Sequence, residues 1–299
     1  MSSVKILNAK RAVAVFMAVL MTILSLSYTS NKTDAANIER QYYVYDAKTG
    51  EKIDEYYLDP VPSVNNSRSV IGGDERTIDW TKSGVVKIIT STGAFGSGFV
   101  VGDHVIATAA HCVYDYGKAE KITKILLFDK NGKVTLEATP VESHVPYYYA
   151  KQGLETYDYA LISVKEDLSD YACFDLGVPL DSFNNSNSVV TVTGFPGKWG
   201  KPGEEVTVNT DTQHMMYSGN GLVCGGNDSL MYYTTDTSGG NSGGPVYITE
   251  SIPGHNTYYT VVAIHAYRPH NDHNQGNHGT CMTTDLIHFY SANNTNISW

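Results

Sequence analysis

Three residues of this sequence could together activate a hydroxyl group. Ser242 lies in "TSGGNSGGPV" (237–246), a run dominated by small residues, while His111 follows the apolar run "VIATA" and Asp158 begins "DYALISV". A serine hydroxyl is a weak nucleophile at neutral pH, and it needs a base that is itself oriented by a carboxylate. Each residue alone has an ordinary structural interpretation, but the order His, Asp, Ser indicates a nucleophilic serine.

The glycines around Ser242 fit the same chemistry. The oxyanion formed in acyl transfer needs main-chain N–H donors, and glycine lets the backbone turn so that two of them converge. We expect these donors to be the N–H groups of Gly240 and Ser242. Taken alone, Gly-Asn-Ser-Gly is only a turn sequence, so this prediction depends on His111 and Asp158.

Short β-strands must position these residues. Apolar runs rich in Val, Ile, Thr and Tyr are bounded by Gly, Pro, Asn or Asp, and no long helical period interrupts them. The runs are GVVKIIT (84–90), GSGFVV (96–101), HVIATA (104–109), KILLF (124–128), DYALISV (158–164), SVVTVTGF (188–195), LMYYTT (230–235), GPVYI (244–248) and YYTVVAIHAY (258–267).

A looser region, 170–187, divides these runs into two similar sets. We therefore predict an all-β fold of two six-stranded antiparallel barrels, followed by a C-terminal helix over 284–292 that Thr284 caps. His111 and Asp158 fall in the first barrel and Ser242 in the second. The site is expected in the cleft between the barrels.

The first 68 residues differ from the rest. Lys5, Lys10 and Arg11 precede the apolar run 12–27, which is the layout of a cleaved secretory signal. We predict a signal peptide over 1–36, an extracellular protein, and no membrane attachment after its removal.

The next segment, 37–68, is charged, Tyr-rich and ends at Arg68. It is either a propeptide removed there or an N-terminal arm that stays attached, and composition leaves both alternatives open. The remaining part, 69–299, has the length of one large domain or of a two-lobed β protein.

Charge and cysteine content exclude some function classes. The chain carries a net charge of −10 at pH 7 and has no basic run, unlike proteins that bind nucleic acid or anionic membranes. Its four cysteines form no C-x-x-C pair of the kind that binds zinc. In an oxidising compartment we expect two disulfides, and of three possible pairings the distribution along the chain favours Cys112–Cys173 and Cys224–Cys281.

The run "RPHNDHNQGNHGT" (268–280) holds His270, Asp272, His273 and His278, which are types that can bind transition metals. Their spacing matches no metal motif, and the run is rich in Asn and Gly. We interpret it as a solvated loop at the rim of the site and predict no metal ligand and no cofactor.

Several segments resemble a known family. "TAAHC", "DYALI" and "GNSGGPV" resemble the chymotrypsin-fold serine proteases, and "SVIGGDERT", "VTGFPG", "YYTTDTSGGNSGGPV" and "AIHAY" are similar to the secreted bacterial glutamyl endopeptidases, the V8-like group. The resemblance spans 69–299. It implies a chymotrypsin-like fold, protein or peptide substrates, His111 as general base, Asp158 as its orienting carboxylate and Ser242 as nucleophile.

The resemblance also bears on processing and specificity. It implies a propeptide over 37–68, an activating protease that cuts after Arg68, and a monomeric enzyme starting near Ser69. It also implies cleavage preferentially after Glu, or after Asp, with the acidic side chain recognised by Thr237, by His265 and by the new amine of Ser69. An alternative is a trypsin-like enzyme that uses Asp236 to recognise Arg or Lys, and a further one is a binding module that kept the fold without activity.

The sequence departs from these relatives in two places. Phe95 stands in the region where some of them carry a cysteine paired to the one beside the histidine, so Cys112 must pair elsewhere or stay free. Asn241 precedes the serine where trypsin-like enzymes carry an aspartate that binds the new N-terminal amine. Activation of this chain cannot use that ion pair.

Overall fold

The computed structural model describes residues 41–58, 74–115, 117–179, 188–200, 205–251, 253, 256–268 and 276–293. The predicted signal peptide, Arg68 and Ser69 lie outside these ranges, as do His270, Asp272 and His273. None of the helices within the described ranges has the length and apolar character that crossing a bilayer requires.

Strands dominate the first half of the chain. In chain order they are β1 (Gln41–Asp46), β2 (Lys52–Tyr57), β3 (Thr77–Ile78), β4 (Val85–Thr90), β5 (Phe95–Gly102), β6 (Val105–Thr108), β7 (Tyr114–Asp115), β8 (Lys118–Ala119), β9 (Ile122–Phe128), β10 (Val134–Ala138), β11 (Pro140–Pro146) and β12 (Ala160–Val164). A short helix, α1 (Tyr147–Gln152), follows β11, and 3₁₀ turns lie at Ala110–Cys112, Glu155–Tyr157 and Ser169–Tyr171.

The second half has the same character. Its strands are β13 (Asp175–Leu176), β14 (Val189–Gly194), β15 (Lys198–Trp199), β16 (Val206–Thr207), β17 (Tyr217–Gly226), β18 (Leu230–Tyr233), β19 (Pro245–Ser251), β20 (Thr257–Tyr267) and β21 (Asn277–Cys281), before the C-terminal helix α2 (Thr284–Ala292).

The second lobe is a closed barrel of six strands. Its strands pair in the order β20–β19–β14–β17–β18–β21, and β21 pairs back onto β20. Branched side chains fill the interior, among them Val190, Val223, Val246 and Val262. This confirms the predicted barrel and places "SGGNSGG" on the loop that enters β19.

The first lobe is a nine-stranded sheet in the order β10–β9–β4–β5–β6–β12–β11–β1–β2. Its core includes Ile88, Ile106, Ile125 and Ile162, none of which is exposed. Seven of these strands, β10 to β11 in this order, form the lobe itself, one more than the six predicted, and a hairpin, β1–β2, adds two more by pairing with β11. That hairpin lies within the segment predicted as a propeptide.

The C-terminal helix joins the two lobes. It is confirmed at the predicted bounds, but its cap is Thr283, whose hydroxyl accepts from the N–H of Leu286 at 3.1 Å, and not Thr284. Phe289 and Tyr290 are fully buried, and the Tyr290 hydroxyl donates to the carbonyl of Ala160 at 3.3 Å. The helix therefore supports the strand that follows Asp158.

The disulfide prediction is wrong for this structure. None of the four cysteines, all within the described ranges, forms a disulfide. Cys112 donates its thiol to the carbonyl of Ser242 at 3.3 Å, whereas Cys173 lies against Gly84 at the start of β4. Cys112 ends a 3₁₀ turn and Cys173 precedes β13, whereas Cys224 and Cys281 lie on β17 and β21. Assignment by halves of the chain could not take these different environments into account.

Candidate active site

His111 and Asp158 form a two-point contact. The 3₁₀ turn after β6 carries His111, and a second 3₁₀ turn before β12 ends next to Asp158. The Nδ1 of His111 lies 2.6 Å from Oδ2 of Asp158, and the His111 main-chain N–H donates to Oδ1 at 2.9 Å. The carboxylate is fully buried, so it fixes both the position of the turn and the orientation of the ring.

The two groups shift each other's pKa in opposite directions. Burial raises the pKa of Asp158, but the charge and hydrogen bonds of His111, together with the Tyr267 hydroxyl, outweigh it and the pKa is lowered. Burial lowers the pKa of His111, yet the Asp158 carboxylate dominates and raises it. A base that has just accepted a proton is stabilised by this arrangement.

Ser242 lies beside this pair but is not hydrogen-bonded to it. Its carbonyl contacts the thiol of Cys112, the neighbour of His111, at 3.3 Å. Within the described ranges its hydroxyl donates only to the carbonyl of Ala266, at 3.3 Å. Serine–base contacts are often loose without substrate.

The main-chain N–H groups of Gly240 and Ser242 donate to no acceptor among the described residues. Gly240 has φ +99°, and a Cβ there would lie 2.4 Å from the carbonyl oxygen of Phe195. Only glycine therefore allows this turn. These two N–H groups are the donors predicted for an oxyanion site.

Ser97 anchors this turn, and the sequence did not single it out. Its fully buried hydroxyl donates to the carbonyl of Gly240 at 2.7 Å and accepts from the N–H of Phe195 at 2.9 Å. Its own N–H donates to the carbonyl of Ser242 at 2.7 Å. The "GSG" of β5, which Phe95 begins, gave the only signal, because a small polar residue between glycines suits close approach of another backbone.

Thr237 precedes Ser242 on the same loop, and His265 is hydrogen-bonded to that loop. His265 is buried on β20, and its main chain exchanges hydrogen bonds with Gly243 and Gly244. Its Nδ1 is 2.7 Å from the hydroxyl of Tyr233. The Nε2 of His265 and the hydroxyl of Thr237 have no hydrogen-bond partner among the residues described.

Burial, with a smaller contribution from His111, lowers the pKa of His265 to about 3. The ring is therefore neutral at ordinary pH. Sequence reasoning allowed it to become charged, and it missed Tyr233, whose position in an apolar strand gave no sign of a polar contact.

Asp236 is held by the segment that precedes β3. Its Oδ2 accepts from the main-chain N–H of Glu75 at 3.3 Å, and burial, opposed in part by that hydrogen bond, raises its pKa. Next to it, the buried guanidinium of Arg76 binds Asp74 through Nε at 2.9 Å and Nη2 at 2.7 Å.

Arg76 also reaches the loop that carries the serine. Its Nη1 lies 3.4 Å from the hydroxyl of Ser238 and 3.5 Å from Oδ1 of Asn241, and its Nη2 donates to the carbonyl of Lys198 at 3.1 Å. A cation of the chain itself thus stands beside Asn241. No local pattern around Arg76 marked this role.

His278 is not in a solvated loop, which corrects that interpretation for this residue. It is fully buried on β21, its Nε2 lies 3.3 Å from Oε2 of Glu155, and its ring stacks on Tyr267 at 5.2 Å. Tyr267 in turn lies 5.5 Å from the ring of His111. These rings form the wall of the site behind Asp158.

Comparison with known proteins agrees with this geometry. The profile of a family described as "Trypsin-like peptidase domain" matches residues 96–251. The Glutamyl endopeptidase of Bacillus licheniformis is 25% identical over 233 residues, covering 75% of this chain and 69% of that protein. The Extracellular metalloprotease of Bacillus subtilis is 29% identical over 281 residues, covering 87% of this chain and 81% of that protein.

Among solved structures, a Glu endopeptidase in complex with MPD superposes with a TM-score of 0.59 at 20% identity, covering 76% of this chain and 100% of that one. This likeness supports the fold alone. Although one relative is named a metalloprotease, the described residues contain no group of three or more His, Cys, Asp or Glu arranged to hold a metal ion.

Proposed function

Because the chain belongs to the trypsin-like peptidase domain family and is a serine endopeptidase, we propose that it cleaves its protein or peptide substrates after Glu. The contacts of the residues around Ser242 support this proposal. Among the described residues the Thr237 hydroxyl and Nε2 of His265 have no hydrogen-bond partner, whereas Oδ2 of Asp236 accepts from the N–H of Glu75.

The proposed chemistry gives each of the three residues one role. Ser242 Oγ attacks the scissile carbonyl as His111 takes its proton, and Asp158 holds Nδ1 of His111 and stabilises the imidazolium. The N–H groups of Gly240 and Ser242 bind the oxyanion. The acyl-enzyme is then hydrolysed by water that His111 activates.

Recognition of Glu is proposed to use a neutral histidine. Tyr233 has a pKa raised well above its usual value by burial, so its hydroxyl keeps its proton and can donate to Nδ1 of His265. That bond fixes the tautomer in which Nε2 carries the proton. Together with the Thr237 hydroxyl it supplies two donors to a carboxylate.

The positive charge that would balance the substrate carboxylate is assigned to the amine of Ser69, which lies outside the described residues. Cleavage after Arg68 by another protease would create that amine and couple processing to specificity. Secretion, the signal peptide over 1–36, the propeptide over 37–68 and a monomeric enzyme belong to the same proposal.

A trypsin-like specificity would instead require Asp236 to face the substrate. Its Oδ2 instead accepts from the main-chain N–H of Glu75 at 3.3 Å, which directs that oxygen towards the segment before β3.

Three peptides that differ only in the residue before the scissile bond test the specificity. We expect kcat/KM to fall in the order Glu, Gln, Arg. Tyr233→Phe should reduce the value for the Glu peptide by about 10–100-fold, because a hydrogen bond to a charged group contributes about 1.5–3 kcal/mol. Tyr232→Phe, at the neighbouring half-buried tyrosine, is the matched control.

A higher kcat/KM for the Arg peptide would restore the Asp236 interpretation. Equal losses in the two tyrosine variants would show that Tyr233 does not orient His265. Ser242→Ala should lose several orders of magnitude in kcat, and a folded wild-type protein that a serine-reactive phosphonofluoridate fails to label would instead be a binding module.

A further inference from the structure

The hairpin β1–β2 is built into the protease fold although it precedes the proposed cut. β1 pairs antiparallel with β11 from Tyr42↔Pro146 to Asp46↔Glu142. Beyond the strand, the N–H of Ala47 donates to the carbonyl of Val141 at 3.0 Å, and the carbonyl of Ala47 accepts from Ile122 at 2.8 Å. The hairpin thus continues the sheet that carries His111 and Asp158.

One face of β1 packs on the C-terminal helix. Tyr42 is 2% exposed, and its ring stacks on Phe289 with centroids 4.4 Å apart. Its hydroxyl lies 3.2 Å from that of Tyr159, the residue after Asp158. From β2, the Tyr56 hydroxyl lies 3.1 Å from Nδ1 of His144 and accepts from Nδ2 of Asn293 at 3.0 Å.

The other face of β1 packs on α1. The ring of Tyr43 lies 5.6 Å from that of Tyr147, and further ring contacts run through Tyr148 to Tyr157, which ends the turn before Asp158. Tyr45 lies 5.5 Å from Tyr114. The hairpin therefore supports, from both faces, the segment that carries the orienting carboxylate.

None of these contacts depends on the peptide bond after Arg68. The hairpin ends at Tyr57, and the domain segment that contacts the site begins at Asp74. A cut between them breaks the connection in sequence but leaves the pairing with β11 and the buried tyrosines in place. Strand addition to a sheet edge is a stable mode of association when pockets receive alternate side chains.

We propose that residues 41–57 stay on β11 and α2 after the chain is cut at Arg68, so that the active enzyme is a complex of an N-terminal fragment and the protease domain. This rests on the processing step of the proposed function. The partner of the β11 edge is thus a segment of the chain itself, and its role is to hold the turn of Asp158.

The full chain carrying Ser242→Ala tests this without self-digestion. The purified chain is cut with an Arg-specific protease, and sequencing of a new N-terminus at Ser69 establishes the cut. Gel filtration under native conditions is followed by mass spectrometry of the denatured peak. We expect the N-terminal fragment and the domain in equal amounts in one peak.

Two tyrosine variants of the hairpin test whether the fragment is retained by its buried side chains or by non-specific association. Tyr42→Ala removes a buried ring and should release the fragment and lower the Tm of the cut protein by about 10 °C. Tyr57→Ala, at a side chain that is 53% exposed, should do neither.

The readouts are composition and Tm, so they do not depend on Glu specificity. The proposal would be overturned if the N-terminal fragment with the wild-type hairpin eluted separately from the domain and the domain kept the Tm of the uncut chain. It would also be overturned if Tyr42→Ala and Tyr57→Ala gave the same elution and the same Tm. A third outcome is that the chain resists the cut at Arg68 and that the version with Ser242 intact is active without it. This would overturn both the two-chain enzyme and the proposed processing. It would leave the proposed Glu specificity unaffected.

Discussion

Gly96 occupies a position from which a new disulfide can be made. A Cβ at Gly96 would lie 2.7 Å from the Sγ of Cys112. In a disulfide the Cβ of one residue stands about 3 Å from the sulfur of the other, so Gly96→Cys needs only a small adjustment. The φ angle of Gly96 is not positive, so its backbone conformation is one that a residue with a side chain can adopt.

The expected gain follows from the length of the loop. A bridge from 96 to 112 closes a loop of about 17 residues, for which restriction of the unfolded chain gives about 3 kcal/mol. In a domain of this size that corresponds to a rise in Tm of about 6–12 °C. The cost is local, since the same Cβ would lie 3.2 Å from the carbonyl oxygen of Ser242.

Thermal unfolding with and without reductant measures the rise in Tm, and thiol titration shows whether the disulfide has formed. Peptide hydrolysis reports whether the serine loop is still functional. Gly96→Ser adds the Cβ without the bridge and is the matched control. On oxidation we expect the Gly96→Cys variant to lose two free thiols. Its Tm should exceed that of the wild type only in the oxidised form. A bridge that forms without raising Tm would refute the argument from loop length, and failure to form it would refute the placement of Gly96.

Three further predictions concern stability, catalysis and pH. Arg76→Gln should lower the free energy of unfolding by about 3–5 kcal/mol, because it leaves Asp74 buried without a counter-charge; adding Asp74→Asn should recover most of this in denaturant titrations, and an unchanged single variant would contradict it. Ser97→Ala should lower kcat more than it raises KM, because the carbonyl of Gly240 loses a buried donor, and a pure KM effect in steady-state kinetics would speak against this role. Burial lowers the pKa of His265 to about 3. As the pH falls, this ring therefore becomes protonated in the unfolded chain at a higher pH than in the folded protein. The stability linked to this ring is present above about pH 6.5 and is lost towards pH 3. Unfolding free energies of wild type and His265→Gln should therefore converge in acid, and parallel pH curves would exclude the linkage.

Local pattern predicted most of the strands and the helix α2. The runs of β-branched residues were confirmed because each is bounded by turn residues and fills one of the two lobes. β11 escaped prediction because "PVESHVP" has proline at both ends and polar residues between them. The hairpin escaped because its buried surface is aromatic within a charged segment, and only the distant partners Phe289 and Tyr147 show that it is core.

The candidate site likewise contains residues that the sequence predicted and residues that it missed. The order of His111, Asp158 and Ser242 follows from the chemistry that each type can perform, so sequence was enough to nominate them. The hydroxyl of Tyr233, the guanidinium of Arg76 and the burial of His278 depend on contacts between residues far apart in the chain. No local spacing encodes such contacts.

The outer strand of the first sheet also bears on how the protein behaves at high concentration. Without the hairpin, β11 would end the sheet with an unpaired backbone and the buried Val145 beside it. With it, the last strand is β2, where Lys52, Asp54 and Glu55 are exposed and charged. Charged edge strands resist pairing with another molecule. The hairpin thus gives the protein an edge that discourages intermolecular sheet growth and amyloid-like aggregation.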